Sequence, residues 1–375
     1  MNILINASNQ RGNGGGQVTD SLCRNLIDYP QHYFIVVLNP KLESVHKALS
    51  TFCNVTVVMY AIRNDLCTLL YGRDKFLDGL VRDYNIDGVL SVFGPTRWNP
   101  KCPHLAGFAL SQIIMPESPF YQIMSRKEWV IQKMRNGIWE YYFRNGTKHL
   151  YTENPFITER VAKKWKDCEV ITVTNYYNQV FDDKSRWVEH KLQNFDGCTI
   201  LTLSRYAKHK HITITFDICR VLKNKYPSFN FRFVLPESEV TFDVPVDLKC
   251  HYVLTDLLPV EQLPSIYSQC NIAFQPTLLE CFTATYPEAM RMNLPLITCD
   301  LEFAHGLCGD AALYFPWNDA EKAAEQIYRA YTNEVVRNRL IANGIKRLEM
   351  FDNYKERTNK LISALEKLVT KGTIV

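Results

Sequence analysis

The sequence predicts an α/β protein of two domains, each a parallel sheet with helices on both faces. Three observations predict it. The 375 residues exceed one ordinary core and suit two. Apolar runs of strand length, such as 34–38 and 55–60, alternate with longer helical stretches. The segments after several strands carry glycine, arginine, lysine or glutamate, and open α/β sheets bind ligands at that carboxyl edge.

Composition narrows the class. Hydrophobic content of 46% and charged content of 22% fit a globular protein, and no apolar run approaches the ~20 residues of a membrane-spanning helix. A strand begins at residue 2, leaving no room for a signal peptide, so a cytoplasmic location is expected. Twelve cysteines without a C-x-x-C pair or a Cys/His cluster fit free thiols in a reducing compartment, and no metal site is expected. The net charge of +4 is too mild for a nucleic-acid binder. Its excess lies mostly between Lys101 and Lys148, which would favour an anionic membrane surface or a pyrophosphate-bearing acceptor.

The strand at 2–7 runs into a glycine-rich turn, 9–17, and a helix from about 18 to 27. Strand, glycine turn and helix present backbone amides to phosphate, although such a turn can also be a plain connection. Strands at 33–38, 55–60, 88–93 and 104–110 follow, with helices near 42–50 and 76–84. Residues 94–103 hold three prolines and a tryptophan and read as a loop at a sheet edge. Residues 125–144 form a helix rich in Arg126, Lys127, Trp129, Lys133 and Arg135. A basic, aromatic helix can lie in a membrane interface. The spacing of Trp129, Met134 and Ile138 equally suits packing on the sheet, which is the expectation for these apolar residues. Strand 149–152, helix 159–166 and strand 170–173 complete a domain of residues 1–175, and the polar stretch 176–194 reads as a linker.

The domain 195–353 opens with strand 198–203 and the basic turn Ser204-Arg205-Tyr-Ala-Lys208-His209-Lys210-His211. That turn is either a solvated basic loop or a pair of fixed cations for an anionic group. Helix 214–225, strands 230–235 and 251–254 and helix 260–270 lead to residues 271–300. Here an apolar strand end, 272–274, is followed by a loop bearing Glu280, a helix from about Pro287 and a strand at 294–298. The helix amino terminus would suit a phosphate. Thr285-Tyr286-Pro287-Glu288 also has the form of a capping box, with Thr285 as N-cap and Glu288 at N3, so Glu288 has a structural reading of its own. Strand 313–315 and helices 320–332, 334–350 and 354–370 close the chain.

Residues 276–297 resemble the donor-site signature of glycosyltransferase family 4. The matching residues are Pro276-Thr277-x-x-Glu280-x-Phe282, Pro287-Glu288-Ala289-Met290 and Asn293-Leu294-Pro295-Leu296-Ile297. The family writes this signature as E-x7-E followed by EAMACGxPVI. The resemblance is strong over about 195–330 and weaker before it. It implies the GT-B fold, two Rossmann-like domains facing each other across a cleft, with helix 354–375 crossing back to the first domain. It also implies transfer from a nucleotide sugar with retention of configuration. Carried over, Glu280 contacts the donor sugar with Phe282 and Thr283 in its loop, and Glu288 binds the ribose. Arg205 and Lys210 match the arginine and lysine that hold the donor diphosphate, and Gly15 and Gly16 match a glycine pair lying against it. Cys281, Thr283, Ser204 and His211 stand where the family commonly has glycine, and Thr285 where it often has proline. No histidine stands at the end of strand 104–110, where members often have one, so no catalytic histidine is assigned; Ser111 and Gln112 occupy that end.

The expected function is therefore a retaining glycosyltransferase without a cofactor, using a UDP- or GDP-linked sugar. Its acceptor would be a glycan or lipid-linked saccharide of a bacterial capsule, lipopolysaccharide or related polymer. No D-x-D triplet occurs, so Arg205 and Lys210 would take the place of a metal at the diphosphate. Arg126, Lys127, Trp129, Lys133 and Arg135 would lie on the acceptor or membrane side, peripheral to the inner face of the plasma membrane. A non-catalytic nucleotide-sugar-binding or scaffolding protein on the same fold is the alternative, and turnover of a nucleotide sugar separates the two. A phosphorylase-like enzyme fits less well, since no lysine motif for pyridoxal phosphate is present.

Overall fold

The computed structural model describes residues 1–62 and 66–372. The chain divides into two compact units, one of Met1–Ile114, Arg126–Asn178 and Asp352–Val375, the other of Met115–Ser125 and Gln179–Phe351.

The first unit holds strands β1 (Asn2–Ala7), β2 (Tyr33–Leu38), β3 (Val55–Met59), β4 (Gly88–Ser91), β5 (His104–Gly107), β6 (His149–Thr152) and β7 (Glu169–Thr172). Their order is β3-β2-β1-β4-β5-β6-β7, and every pair is parallel. A parallel sheet needs helical crossovers, so both faces are covered and its strands are apolar on both sides. Side chains alternate between the faces. Ile3, Ile5, Phe34 and Val36 join one core with Leu361, Ile362 and Leu365 of the helix Tyr354–Gly372. Leu4, Ile35 and Val37 join another with Leu77 and Trp98. Trp98 thus belongs to a core: it is fully buried, and its indole N–H donates to Asp78 at 3.1 Å.

The glycine-rich segment after β1 differs from expectation. The helix starts at Asn13, not near residue 18, so Gly14, Gly15 and Gly16 form its first turn. Gly12 enters it at φ 105°, a backbone that favours glycine. The helix in this unit that follows β6, Pro155–Lys164, also begins earlier than expected, because the Asn154 side chain caps it on the Phe156 N–H at 3.1 Å.

The second unit holds β8 (Cys198–Leu201), β9 (Phe231–Leu235), β10 (Tyr252–Leu254), β11 (Ile272–Gln275), β12 (Leu296–Cys299) and β13 (Ala312–Phe315). The order is β10-β9-β8-β11-β12-β13, again all parallel. This is the doubly wound arrangement, whose order reverses between β8 and β11. Residues 179–192 pack on this unit, where the Val188 N–H donates to the Glu261 carbonyl at 2.9 Å and the Leu192 N–H to the Gln269 side chain at 2.9 Å.

Candidate functional site

The loops that leave β8 and β11 start side by side at the reversal point of the second sheet. The first carries Arg205 and Lys210, the second Glu280, Phe282 and Thr283. Buried hydrogen bonds clamp them together. Ser204 donates to the Gln275 side chain at 2.9 Å, and the Leu278 N–H donates to the His209 carbonyl at 2.7 Å. Thr277 donates to that carbonyl at 3.2 Å and to Glu280 Oε1 at 3.0 Å. Lys210 Nζ also donates to Glu280 Oε1, and the two side chains are only 22% and 13% exposed. This is a charge-assisted contact largely sheltered from water. Arg205 is exposed on the same loop.

Two features of these loops explain departures from the glycine pattern. His211 closes the short turn Lys208–Lys210 at φ 49°, in the left-handed region where glycine is favoured and histidine tolerated. Its ring lies 5.8 Å from that of Trp317. Burial lowers the pKa of both His209 and His211. At the far end of the signature, Asn293 takes the left-handed position at φ 58° that ends the helix Thr285–Arg291. The N–H of Leu294 bonds back to Ala289 at 2.9 Å and that of Asn293 to Met290 at 3.2 Å, a Schellman ending.

Glu288 sits differently from a capping-box residue. The N-cap is Ala284, without a side-chain cap, and Thr285 is already inside the helix, its hydroxyl 3.1 Å from that of Thr283. Glu288 is buried, and its Oε2 accepts from the Tyr267 hydroxyl at 2.9 Å. Burial pushes its carboxyl up to about 7, against the opposing effect of the Tyr267 hydrogen bond. The side chain therefore lies in the interior of its own unit, with Oε2 on Tyr267, and not at the helix start. Phe282 is half-buried, edge-on to Phe351 at 5.9 Å, and Thr283 is buried.

A third segment of this unit escaped the sequence reading. Ser118, from the excursion Met115–Ser125, donates to the Leu278 carbonyl at 2.7 Å, and the Phe120 ring stands edge-on to His209 at 6.0 Å. Nothing in its local pattern signals the partnership, which links residues 160 positions apart. Tyr267, 21 residues before its partner Glu288, was missed for the same reason.

Gly15 and Gly16 belong to the first unit, in the opening turn of the helix Asn13–Arg24. A Cβ on Gly15 would stand 2.2 Å from the Gln10 amide oxygen, and one on Gly16 3.1 Å from a Leu42 methyl. Ser111 and Gln112 open the short helix Ser111–Ile114 beyond β5. His104 is a buried partner of Ser91 at 2.8 Å, with its pKa lowered to about 3 by burial. His104 thus has a structural place in the sheet.

Arg126, Lys127, Trp129, Lys133 and Arg135 lie on the helix Arg126–Arg144 and are exposed. The expectation that its apolar residues pack on the sheet is overturned. Trp129 is 43%, Met134 60% and Ile138 53% exposed, because Gln132 and Phe143 take the inward face instead. Among the described residues, no helix is long and apolar enough to cross a membrane.

Residues 183–347 match the sequence family described as Glycosyl transferases group 1. No curated protein sequence matches. Among solved structures, the chain is similar to a sucrose-phosphate synthase from Thermosynechococcus elongatus, with TM-score 0.72, 14% identity and 99% of each chain covered. It is similar to a glycosyltransferase from Rickettsia africae, with TM-score 0.71, 11% identity and 98% of each chain covered. It is also similar to HepE of Anabaena in complex with UDP and glucose, with TM-score 0.67 and 12% identity, covering 98% of this chain and 100% of the other. Two doubly wound parallel sheets with these relatives make the fold that of the GT-B glycosyltransferases.

Proposed function

We propose, from the group 1 glycosyl transferase match across residues 183–347, that this protein transfers a sugar from a UDP- or GDP-linked donor to a hydroxyl acceptor. The observation that carries the reading is the contact of Lys210 with Glu280 across two loops at the sheet reversal. Lys210 and Thr277 both engage Oε1 of Glu280, which leaves Oε2 to accept from a sugar hydroxyl. The ammonium group has three donors, so it can hold Glu280 and a phosphate oxygen together. Arg205 supplies a second cation on the same loop. The leaving diphosphate gains negative charge as its bond to the sugar breaks, and these fixed cations stabilise it in place of a metal. By the family resemblance, Glu288 takes the ribose.

By the family resemblance, the acceptor hydroxyl attacks the face from which the diphosphate departs and passes its proton to the leaving phosphate. The acceptor is a glycan or lipid-linked saccharide of a bacterial surface polysaccharide. Calorimetric titration with UDP and GDP, followed by NMR assignment of the anomer formed from the preferred nucleotide sugar, tests this reading. Binding of one nucleotide and a product of retained configuration are expected. Binding without turnover over any donor and acceptor would leave the scaffolding alternative, and an inverted product would remove the proposed mechanism.

A further inference from the structure

One helix of the first unit turns its apolar residues outward. Helix Arg126–Arg144 buries Gln132 and Phe143, while Val130, Ile131, Met134, Ile138 and Tyr141 stand 41–60% exposed. At ~100° per residue, these five fall within an arc of about 100°, opposite the buried pair. A Cβ on Gly137, at the edge of that arc, would meet nothing within 4 Å. The helix Leu66–Tyr71 also exposes apolar residues, Leu70 at 63% and Tyr71 at 72%. A hydrogen bond from the Tyr142 hydroxyl to the Leu69 carbonyl at 3.2 Å ties the two helices together.

The exposed charges of the helix itself have one sign. Arg126, Lys127, Lys133, Arg135 and Arg144 are all exposed. The acidic residues of the helix, Glu128 and Glu140, are half-buried, and Glu140 pairs with Lys164 at 3.1 Å. The Lys133 ammonium lies 5.2 Å over the Trp129 ring and the Arg135 guanidinium 5.7 Å over that of Trp139, so both cations rest on aromatic faces of the same helix.

We propose that this face docks on the surface of an anionic lipid bilayer. The apolar stripe enters the boundary between headgroups and acyl chains, and the surrounding cations meet lipid phosphates. The charge pattern argues against the other occupants. A second copy seated on the same face by two-fold symmetry would oppose these cations to themselves. The core of a protein interface is depleted of lysine, whereas Lys127 falls inside the apolar arc. The inference stands on this helix alone and is independent of the transferase reading.

Sedimentation of the full chain with vesicles tests it, using pure phosphatidylcholine and a 70:30 mixture with phosphatidylglycerol. The protein should pellet with the mixed vesicles, far less with the neutral ones, and be released as salt rises. The double change Met134→Glu and Ile138→Glu should weaken binding by about tenfold or more, since it sets charge within the buried face. Both positions are more than half exposed, so the fold is retained; Met134→Ala with Ile138→Ala gives a milder loss if the first variant does not fold. No pelleting with mixed vesicles overturns the proposal. So does wild-type binding by either variant, or a dimer that the glutamate variant dissolves.

Discussion

The Tyr267 hydroxyl donates to Oε2 of Glu288 at 2.9 Å, which places a carboxyl inside the second unit with its pKa raised to about 7 by burial. An unfolded glutamate releases its proton near 4.5. The protonated folded form therefore contributes stability in full below pH 4.5, and that contribution is lost as pH rises through 7. Above pH 7 the buried charge costs at most about 3.5 kcal/mol, since holding a proton one pH unit longer is worth ~1.4 kcal/mol. Glu288→Gln keeps an acceptor for Tyr267 and carries no charge. It should melt above the wild type at pH 8 and together with it at pH 4. If Glu288 also binds ribose, nucleotide affinity should fall by roughly 1–2 kcal/mol in calorimetry. A variant that is stabilised at pH 8 and binds as the wild type assigns Glu288 to the interior alone.

The contact of Lys210 with Glu280 separates binding from turnover. Lys210→Ala should weaken free nucleoside-diphosphate binding by about 1.5–3 kcal/mol, the scale of a charge-assisted hydrogen bond, and Arg205→Ala likewise. Glu280→Gln should leave that affinity near wild type and depress kcat, because its proposed partner is the reacting sugar. Wild-type turnover by Glu280→Gln would take the carboxylate out of the chemistry.

Arg357 and Glu153 form a buried ion pair at 2.9 Å in the first unit, and burial raises the Glu153 carboxyl to about 7 despite the guanidinium. Two guanidinium nitrogens of Arg357, Nε and Nη1, are buried without a partner. Removing Arg357 strands a buried carboxyl, so Arg357→Met should cost about 3–5 kcal/mol. Adding Glu153→Gln should recover much of that loss. Urea unfolding of the two variants checks this, and equal midpoints would show that the pair is uncoupled.

Sequence reading reached the sheets and the positions of the loops that leave them because both rest on local signals. Strand-length apolar runs mark β8 and β11, and Arg205, Lys210 and Glu280 follow them at fixed intervals. It misplaced what depends on distant partners. Thr285 looks like an N-cap in its own window, but Ala284 holds that position and Glu288 finds Tyr267, 21 residues earlier. Three consecutive glycines read as a turn, yet Gly14, Gly15 and Gly16 are helical because the helix begins at Asn13. In the helix Arg126–Arg144, periodicity reports that an apolar face exists and is silent on which face the sheet covers. Gln132 on the inside and Met134 on the outside reverse the usual order.

The helix Tyr354–Gly372 sets an order of assembly. Leu361, Ile362 and Leu365 fill the same core as Ile3, Ile5 and Phe34, so the first unit is discontinuous along the chain. During synthesis, the amino-terminal strands leave the ribosome long before the side chains that complete their core exist. The second unit, whose last segment ends at Phe351, has all its residues earlier. The unit begun first is therefore the one finished last. Until then the face of its sheet that this helix covers lacks part of its apolar cover, the condition in which a nascent chain is exposed to aggregation.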